Sequence, residues 1–98
     1  MPELPSGTVT FLFTDVEGST QLWEQHPDAM RGALARHDEL LGRAIEGRAG
    51  YVVKTTGDGF LAAFGSASNA VGAAIDAQLA LAEEPWADTG PLLSLIHI

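Results

Sequence analysis

Two aspartates, each beside a glycine-containing turn, are the residues of this sequence whose types and spacing could do chemistry. Asp15 follows an apolar run and precedes the turn at residues 16–20, while Asp58 stands between two glycines that separate two β-rich runs. Mg²⁺ takes oxygen ligands, usually one or two protein carboxylates completed by phosphate oxygens and water. If the fold brings the two aspartates together, they predict a magnesium site that receives a nucleoside triphosphate.

The elements that must position these aspartates can be read from hydrophobic periodicity. The run from Thr8 to Thr14 is nearly all apolar, which is typical of a central strand covered on both faces. Ser19 or Thr20 can cap a short helix, and Pro27 suits the first turn of a second helix that reaches about Glu46. Apolar residues recur there at helical spacing and predict one buried face: Met30, Ala33, Leu34, His37, Leu40, Leu41, Ala44 and Ile45.

The second half of the sequence reads as a hairpin followed by a helix. Gly47 and Gly50 are expected to end the preceding helix, and strands at residues 51–55 and 60–64 flank the glycine turn. The last helix is expected to begin at Ser66 or Ser68 and to end before Pro85. Its predicted buried stripe consists of Val71, Ala74, Ile75, Gln78, Leu79 and Ala82.

This order of elements predicts an α+β fold of the ferredoxin-like βαββαβ type, with helices on one face of the sheet. A right-handed crossover makes the first two strands parallel, with the third strand between them. Asp15 and Asp58 then share one edge of the sheet. The turn after Asp15 opens a helix, so the backbone N–H groups of Val16, Glu17, Gly18, Ser19 and Thr20 are placed to receive phosphate oxygens.

Composition excludes several classes of function. The formal net charge of −8, from 5 Lys and Arg against 13 Asp and Glu, argues against nucleic acid or anionic membranes as partners. The absence of cysteine excludes disulfides and thiolate chemistry. Residues 1–7 read as a flexible leader without a signal-peptide pattern, and no segment has the ~18 apolar residues of a membrane helix. We therefore expect a cytoplasmic protein.

Three motifs together resemble the N-terminal part of a class III adenylate/guanylate cyclase catalytic domain of the bacterial type. They are Phe11-Leu-Phe-Thr-Asp15-Val-Glu-Gly-Ser-Thr20, Arg36-His-Asp38 and Val53-Lys-Thr-Thr-Gly-Asp58-Gly-Phe60, and the resemblance covers about residues 7 to 86. Either aspartate motif alone is a weak signal, whereas the two in this order are specific. On this basis residues 8–91 are interpreted as the N-terminal part of one cyclase domain.

The resemblance implies a site and a reaction. Asp15, Asp58 and the Val16 carbonyl would bind two Mg²⁺ or Mn²⁺ ions, one activating the ribose 3′-oxygen and the other holding the leaving phosphates. The family's domain is a homodimer or pseudodimer, and Lys54 would act from the opposite protomer. Lysine at that position is typical of the family's adenylyl cyclases, which implies conversion of ATP to 3′,5′-cyclic AMP and pyrophosphate. Without the resemblance, Lys54 reads as a charge that protects an edge strand.

The resemblance also implies residues that this sequence does not contain. The family's domain continues past residue 98 with a second purine-selecting residue and with the Asn and Arg that stabilise the transition state. We therefore expect the 98-residue chain alone to be inactive or nearly so, and its longer parent to carry regulatory domains. Residues 92–98 are predicted to be either a last strand or a non-native tail.

Two other interpretations compete with a cyclase. A phosphatase of the haloacid-dehalogenase type has an Asp-x-Asp-Gly-Thr signature after an apolar strand, but Glu17 replaces its second aspartate and Asp58 lies too early. The second alternative is a non-catalytic cyclase-like module that dimerises or senses nucleotides within a larger regulator. The presence of Asp15, Lys54 and Asp58 favours the enzyme.

Overall fold

The computed structural model describes Gly7 and residues 9–56, 59–86, 89–90 and 92–98. The described residues form four strands and three helices: β1 (Thr10–Val16), α1 (Ser19–Gln25), α2 (Pro27–Gly47), β2 (Tyr51–Thr56), β3 (Gly59–Phe64), α3 (Ala67–Glu83) and β4 (Ser94–His97). The predicted leader falls almost entirely outside the described residues. In the part of the chain that the structure describes, no helix is long and apolar enough to cross a membrane.

The four strands form one sheet in the order β2-β3-β1-β4, and every neighbouring pair is antiparallel. Strands β1 and β2 therefore run parallel with β3 between them, which confirms the predicted ferredoxin-like arrangement. The first strand lies two residues later than its predicted span of 8–14. Its final residues pair with β4, Asp15 with Leu95 and Val16 with Ser94, and this pairing extends the strand.

Helices α2 and α3 cover one face of the sheet and form the main core with it. The sheet contributes Leu12, Phe60, Ala62 and Phe64, and the helices contribute Leu41, Ala44, Ile45, Ala70, Ala73 and Ala77. The predicted face of α2 is confirmed, since its buried residues are Met30, His37, Leu40, Leu41, Ala44 and Ile45. A smaller cluster of Val16, Met30 and Leu92 continues the core beneath the end of β1.

The prediction that β1 is covered on both faces is wrong for this chain. Leu12, Thr14 and Val16 are buried under the helices, but Phe11 is 47% exposed and Phe13 is 51% exposed on the other side. A continuous apolar run does not distinguish a sheet with two covered faces from one with a single covered face. We call the uncovered side of the sheet the open face.

The predicted stripe of α3 is also wrong. Its largest members, Val71, Ile75 and Leu79, are 46%, 55% and 58% exposed. The buried residues are instead Ala70, Ala73, Ala77 and Leu81. Small side chains let a helix backbone approach its neighbours closely, and the stripe of α3 that faces the core consists mainly of alanine.

The helix starts differ from each other in their capping. Gly18, with a left-handed φ of 67°, is the N-cap of α1, and no side chain caps this helix, so the predicted cap by Ser19 or Thr20 is wrong. The left-handed conformation carries little cost for glycine, which lacks a β-carbon. At α3 the prediction is confirmed, because Ser66 Oγ accepts a hydrogen bond from the Asn69 backbone N–H at 3.0 Å.

The glycines expected to end α2 do lie at its end. Gly47 is the last residue of the helix, and the Gly50 backbone N–H donates to the Ile45 carbonyl at 2.9 Å, while the residue with a left-handed φ, 59°, is Ala49. Gly50 is required for packing, since a β-carbon there would lie 2.5 Å from the Phe64 ring and 2.8 Å from Ile45 Cγ2. The backbone between α2 and β2 thus passes directly against the core.

A salt bridge joins the end of α2 to α3 on the surface. Arg48 Nε lies 2.8 Å from Asp76 Oδ2 and its Nη2 lies 3.3 Å from Oδ1, so the guanidinium binds both carboxylate oxygens. The glycine at position 72 leaves room for Arg48, because a β-carbon there would lie 2.8 Å from Nη1. The hydrogen bond from Arg48 lowers the pKa of Asp76 below its usual value of 3.8.

This pair makes the stability of the domain depend on acid pH. Because the pKa of Asp76 is lower in the folded chain than in the unfolded chain, the salt bridge stabilises the fold fully when the pH is above the unfolded-state pKa. This stabilisation is lost as the pH falls through the folded-state pKa. We expect Asp76→Asn to lower the urea midpoint at pH 7 by a small amount, since both groups are solvent-exposed. The difference in urea midpoint between Asp76→Asn and the unsubstituted chain should disappear as the pH falls below 3.8. A gap of equal size at pH 7 and in strong acid would contradict the pairing.

Candidate functional site

Asp15 lies on the open face, at the end of β1 that the sequence predicted. Its side chain is exposed and alternates with the buried Thr14 and Val16. On one side it pairs with Leu95, and on the other with Gly59, the first residue of β3. Asp58 lies outside the described residues, but it is the residue before Gly59 in the chain. The register therefore brings the start of β3 directly beside the Asp15 end of β1.

Lys54 shares the open face with Asp15. It is exposed and pairs with Leu61, which in turn pairs with Phe13 on β1. Residues directly opposite each other in antiparallel strands project from the same face of a sheet. Lys54 thus stands two strands away from Asp15 and two pairing rows further from the end of β1.

A β-bulge explains how Lys54 reaches this face. Val52 pairs with Ala62 and packs against the core, so a regular strand would turn Lys54, two residues later, towards the helices as well. The register shift between Val52 and Lys54 inserts Val53 as an extra residue, and Val53 is 42% exposed. Bulges commonly re-aim a side chain in this way. Sequence reasoning missed this bulge, because no glycine marks it.

The turn after Asp15 joins β1 to α1. The side chain of Val16 is buried, while Glu17, Gly18 and Thr20 are exposed and Ser19 is half-buried. The Glu17 backbone N–H donates to the Leu93 carbonyl at 2.8 Å and so continues the pairing with the segment before β4. Phosphate binding by this turn and metal coordination by the Val16 carbonyl stay predictions.

The carboxylates near the end of β1 fit a cation that takes only some of its ligands from the protein. Within the described ranges, no three His, Cys, Asp or Glu side chains come together as a ready-made metal cage. Mg²⁺ rarely needs such a cage, because it keeps several waters and binds through one or two carboxylates and substrate phosphates. An exposed carboxylate at a strand end, next to the chain segment that carries a second one, meets this requirement.

Thr14 is a residue that the sequence analysis did not single out. Its Oγ1 accepts a hydrogen bond from the Phe60 backbone N–H at 3.0 Å, and the residue is only 6% exposed. The signal in the sequence was a threonine that alternates with Leu12 and Val16 and stands immediately before Asp15. A buried hydroxyl at such a position usually has a polar partner.

A family model and curated relatives match most of this chain. Residues 1–85 match the family model of the adenylate and guanylate cyclase catalytic domain. An adenylate cyclase of Lachancea kluyveri is 42% identical over 87 residues, which is 87% of this chain and 5% of that protein.

Solved structures agree with the sequence comparison. Adenylate cyclases from Trypanosoma brucei, solved in their monomeric state, match with 44% identity and a TM-score of 0.80 over 87% of this chain and 37% of theirs. The guanylyl cyclase Cya2 matches with 28% identity and a TM-score of 0.78 over 90% of this chain and 51% of its own.

The chain thus spans a small part of its curated relatives and about a third to a half of these solved structures. The family match nevertheless covers most of the chain and includes both aspartate motifs. The fold and the family model agree, and this chain belongs to the adenylate and guanylate cyclase catalytic domain family.

Proposed function

We propose that this chain is the N-terminal part of an adenylate cyclase domain, which binds ATP with two Mg²⁺ or Mn²⁺ ions and forms cyclic AMP and pyrophosphate as part of a dimer. The observation that carries the proposal is the arrangement of the open face. Asp15 lies there beside Gly59, the residue after Asp58, and the bulge at Val53 turns Lys54 to the same side.

Each residue has a role that its chemistry allows. Asp15 and Asp58 would hold the cations, and the bound cations would neutralise the charge of the triphosphate. The turn at residues 16–20 would bring backbone N–H groups to the phosphates. Lys54 would donate a hydrogen bond to N1 of adenine, which is an acceptor, whereas guanine carries a hydrogen there.

The position of Lys54 favours a site shared between two protomers. Two strand spacings of about 4.8 Å and two pairing rows separate it from Asp15, so an ATP molecule held by one protomer's aspartates can place its base against the other protomer's lysine. The exposed Phe11 and Phe13 on the same face would become buried in such a dimer. We propose a cytoplasmic homodimer, joined to regulatory domains in its longer parent.

Nucleotide preference tests this proposal. In the presence of Mn²⁺, we expect the chain to bind a fluorescent ATP analogue at least about tenfold more tightly than the matching GTP analogue, a difference of ~1.4 kcal/mol. Lys54→Glu should remove this preference, because a carboxylate cannot donate to adenine N1 and can accept from guanine N1–H. Fluorescence anisotropy measured across a range of protein concentrations would report both affinity and dimerisation.

The control is Arg43→Glu, which makes the same change of charge on an exposed position of α2. It should leave the preference intact. Equal binding of ATP and GTP by the unsubstituted chain would contradict the adenylate assignment. In separate samples with ATP and Mg²⁺ we expect no measurable cyclic AMP, and magnesium-dependent formation of cyclic AMP would contradict the view that the chain lacks groups needed for turnover. A nucleotide-sensing module without catalysis would bind ATP in this assay, yet its longer parent would also form no cyclic AMP.

A further inference from the structure

The hydroxyl of Thr14 makes a buried bond between β1, which carries Asp15, and β3, which begins at Gly59. Phe60, whose N–H it accepts at 3.0 Å, is 46 residues further along the chain. Thr14 and Phe60 are also paired in the β1–β3 register, one row before the pair formed by Asp15 and Gly59. The bond therefore lies next to Asp15 on β1 and next to Gly59 on β3.

The location of this bond makes it suited to fixing the distance between Asp15 and the start of β3. Asp15 follows Thr14 directly, and Asp58 precedes Phe60 by two residues. Metal affinity depends on the separation of the ligands, and groups that orient ligands without touching the metal commonly change affinity strongly when they are removed. A second, longer contact lies on the other side of β1, where Ser94 Oγ is 3.5 Å from the Asp15 carbonyl oxygen.

Burial separates a positioning role from contact with the nucleotide. Thr14 is 6% exposed and faces the helices, on the side of the sheet opposite to Asp15. Its hydroxyl therefore cannot approach a ligand on the open face. Because valine has nearly the same shape, packing alone does not require a hydroxyl at this position.

We propose that Thr14 is a positioning residue of the metal site. Its hydroxyl accepts the Phe60 N–H and thereby holds the start of β3, immediately after Asp58, at a fixed distance from Asp15. This inference rests on the proposed metal site, but the Thr14–Phe60 bond itself does not. Thr14→Val should leave the Phe60 N–H without this acceptor and let the two strand ends move relative to each other.

The test compares three variants of the full 98-residue chain for binding of Mn²⁺ alone, measured from the electron paramagnetic resonance signal of the free ion. Thr14→Val should weaken Mn²⁺ binding by about 10- to 100-fold, the range found for groups that orient metal ligands. Thr14→Ser keeps the acceptor and should retain affinity. Thr10→Val is the matched control, because Thr10 lies on the same helix-facing side of β1. It pairs with Phe64 at the opposite end of the strand from Asp15.

Binding is measured well below the unfolding midpoint of every variant, so a purely structural contribution would not change the affinity. Amide hydrogen exchange of Phe60 supplies a second readout that needs no metal. We expect slow exchange in the unsubstituted chain and in Thr14→Ser, and faster exchange in Thr14→Val. If Thr14→Val fails to fold, Thr14→Ala takes its place. Loss of Mn²⁺ affinity in Thr14→Ala, with affinity retained in Thr14→Ser, would then support the inference. Fast exchange of the Phe60 amide in the unsubstituted chain would still overturn it.

The outcomes distinguish this inference from the proposed function. Normal Mn²⁺ binding by a folded Thr14→Val chain overturns the positioning role and leaves the metal site standing. Absence of Mn²⁺ binding by the unsubstituted chain overturns the metal site, and the positioning role with it, even where Phe60 exchanges slowly. Equal weakening in Thr14→Val and Thr10→Val would show a general effect of the strand and would also overturn the inference.

Discussion

Gly50→Ala is expected to destabilise the domain by at least about 1–3 kcal/mol, the cost of overpacking a well-filled core. The added β-carbon would lie 2.5 Å and 2.7 Å from two carbons of the Phe64 ring and 2.8 Å from Ile45 Cγ2. Phe64 is completely buried and Ile45 is 1% exposed, so neither side chain can move aside without disturbing the core. A chain of 98 residues has a total stability of roughly 5–15 kcal/mol, so this loss is a large fraction of it.

Gly42→Ala is the matched control for this prediction. Gly42 lies inside α2, and a β-carbon there meets no atom within 4 Å. Alanine is favoured over glycine in a helix by up to ~1 kcal/mol, so this variant should be more stable than the unsubstituted chain. Urea unfolding followed by circular dichroism would measure both changes. A Gly50→Ala midpoint equal to that of the unsubstituted chain would show that the backbone after α2 is not held against Phe64.

Asp15→Asn is expected to have the largest effect on ligand binding, with Mn²⁺ affinity falling by well over tenfold, or more than ~1.4 kcal/mol. The substitution keeps the shape of the side chain but removes its negative charge, and a hard divalent cation strongly prefers a carboxylate. Asp58→Asn should have an effect of similar size, because the proposed site has only these two protein carboxylates. Titration calorimetry with Mn²⁺, with and without ATP, would measure both variants.

Asp28→Asn is the control, since Asp28 is an exposed acid in the first turn of α2. It makes the same change of net charge and should not change Mn²⁺ affinity. If all three variants weakened binding equally, the ion would be responding to the overall charge of −8 and not to a site. Loss of affinity in Asp15→Asn alone would contradict a site shared with Asp58.

The order of the elements and the family motifs were accessible from the sequence. Helix α2 could be predicted because its apolar residues recur at helical spacing from Met30 to Ile45, and the hairpin because two β-rich runs flank a glycine turn. Together they implied that β3 lies between β1 and β2, as observed. Local periodicity was informative for α2 because this helix buries one face only.

Periodicity failed where packing geometry selects among several apolar residues. The sequence of α3 offers both a bulky stripe and an alanine stripe, and in the fold the buried one contains Ala70, Ala73 and Ala77. The same limit applies to β1, whose apolar run did not reveal that Phe11 and Phe13 lie on an open face. Which of two apolar faces is buried depends on neighbours that are distant in the chain.

The sequence by itself determined the identity of the chemical groups: the aspartates, the lysine and the glycine turns are fixed by residue type, and they carried the resemblance to cyclases. Only the tertiary structure decided how these groups are presented. The bulge at Val53 turns Lys54 to the Asp15 side, and the Thr14–Phe60 bond ties together two strand ends that lie far apart in the chain. The bulge and the bond both depend on strand register, which is set by pairing between distant parts of the chain. A single inserted residue moves the side chains that follow it to the other face of the sheet.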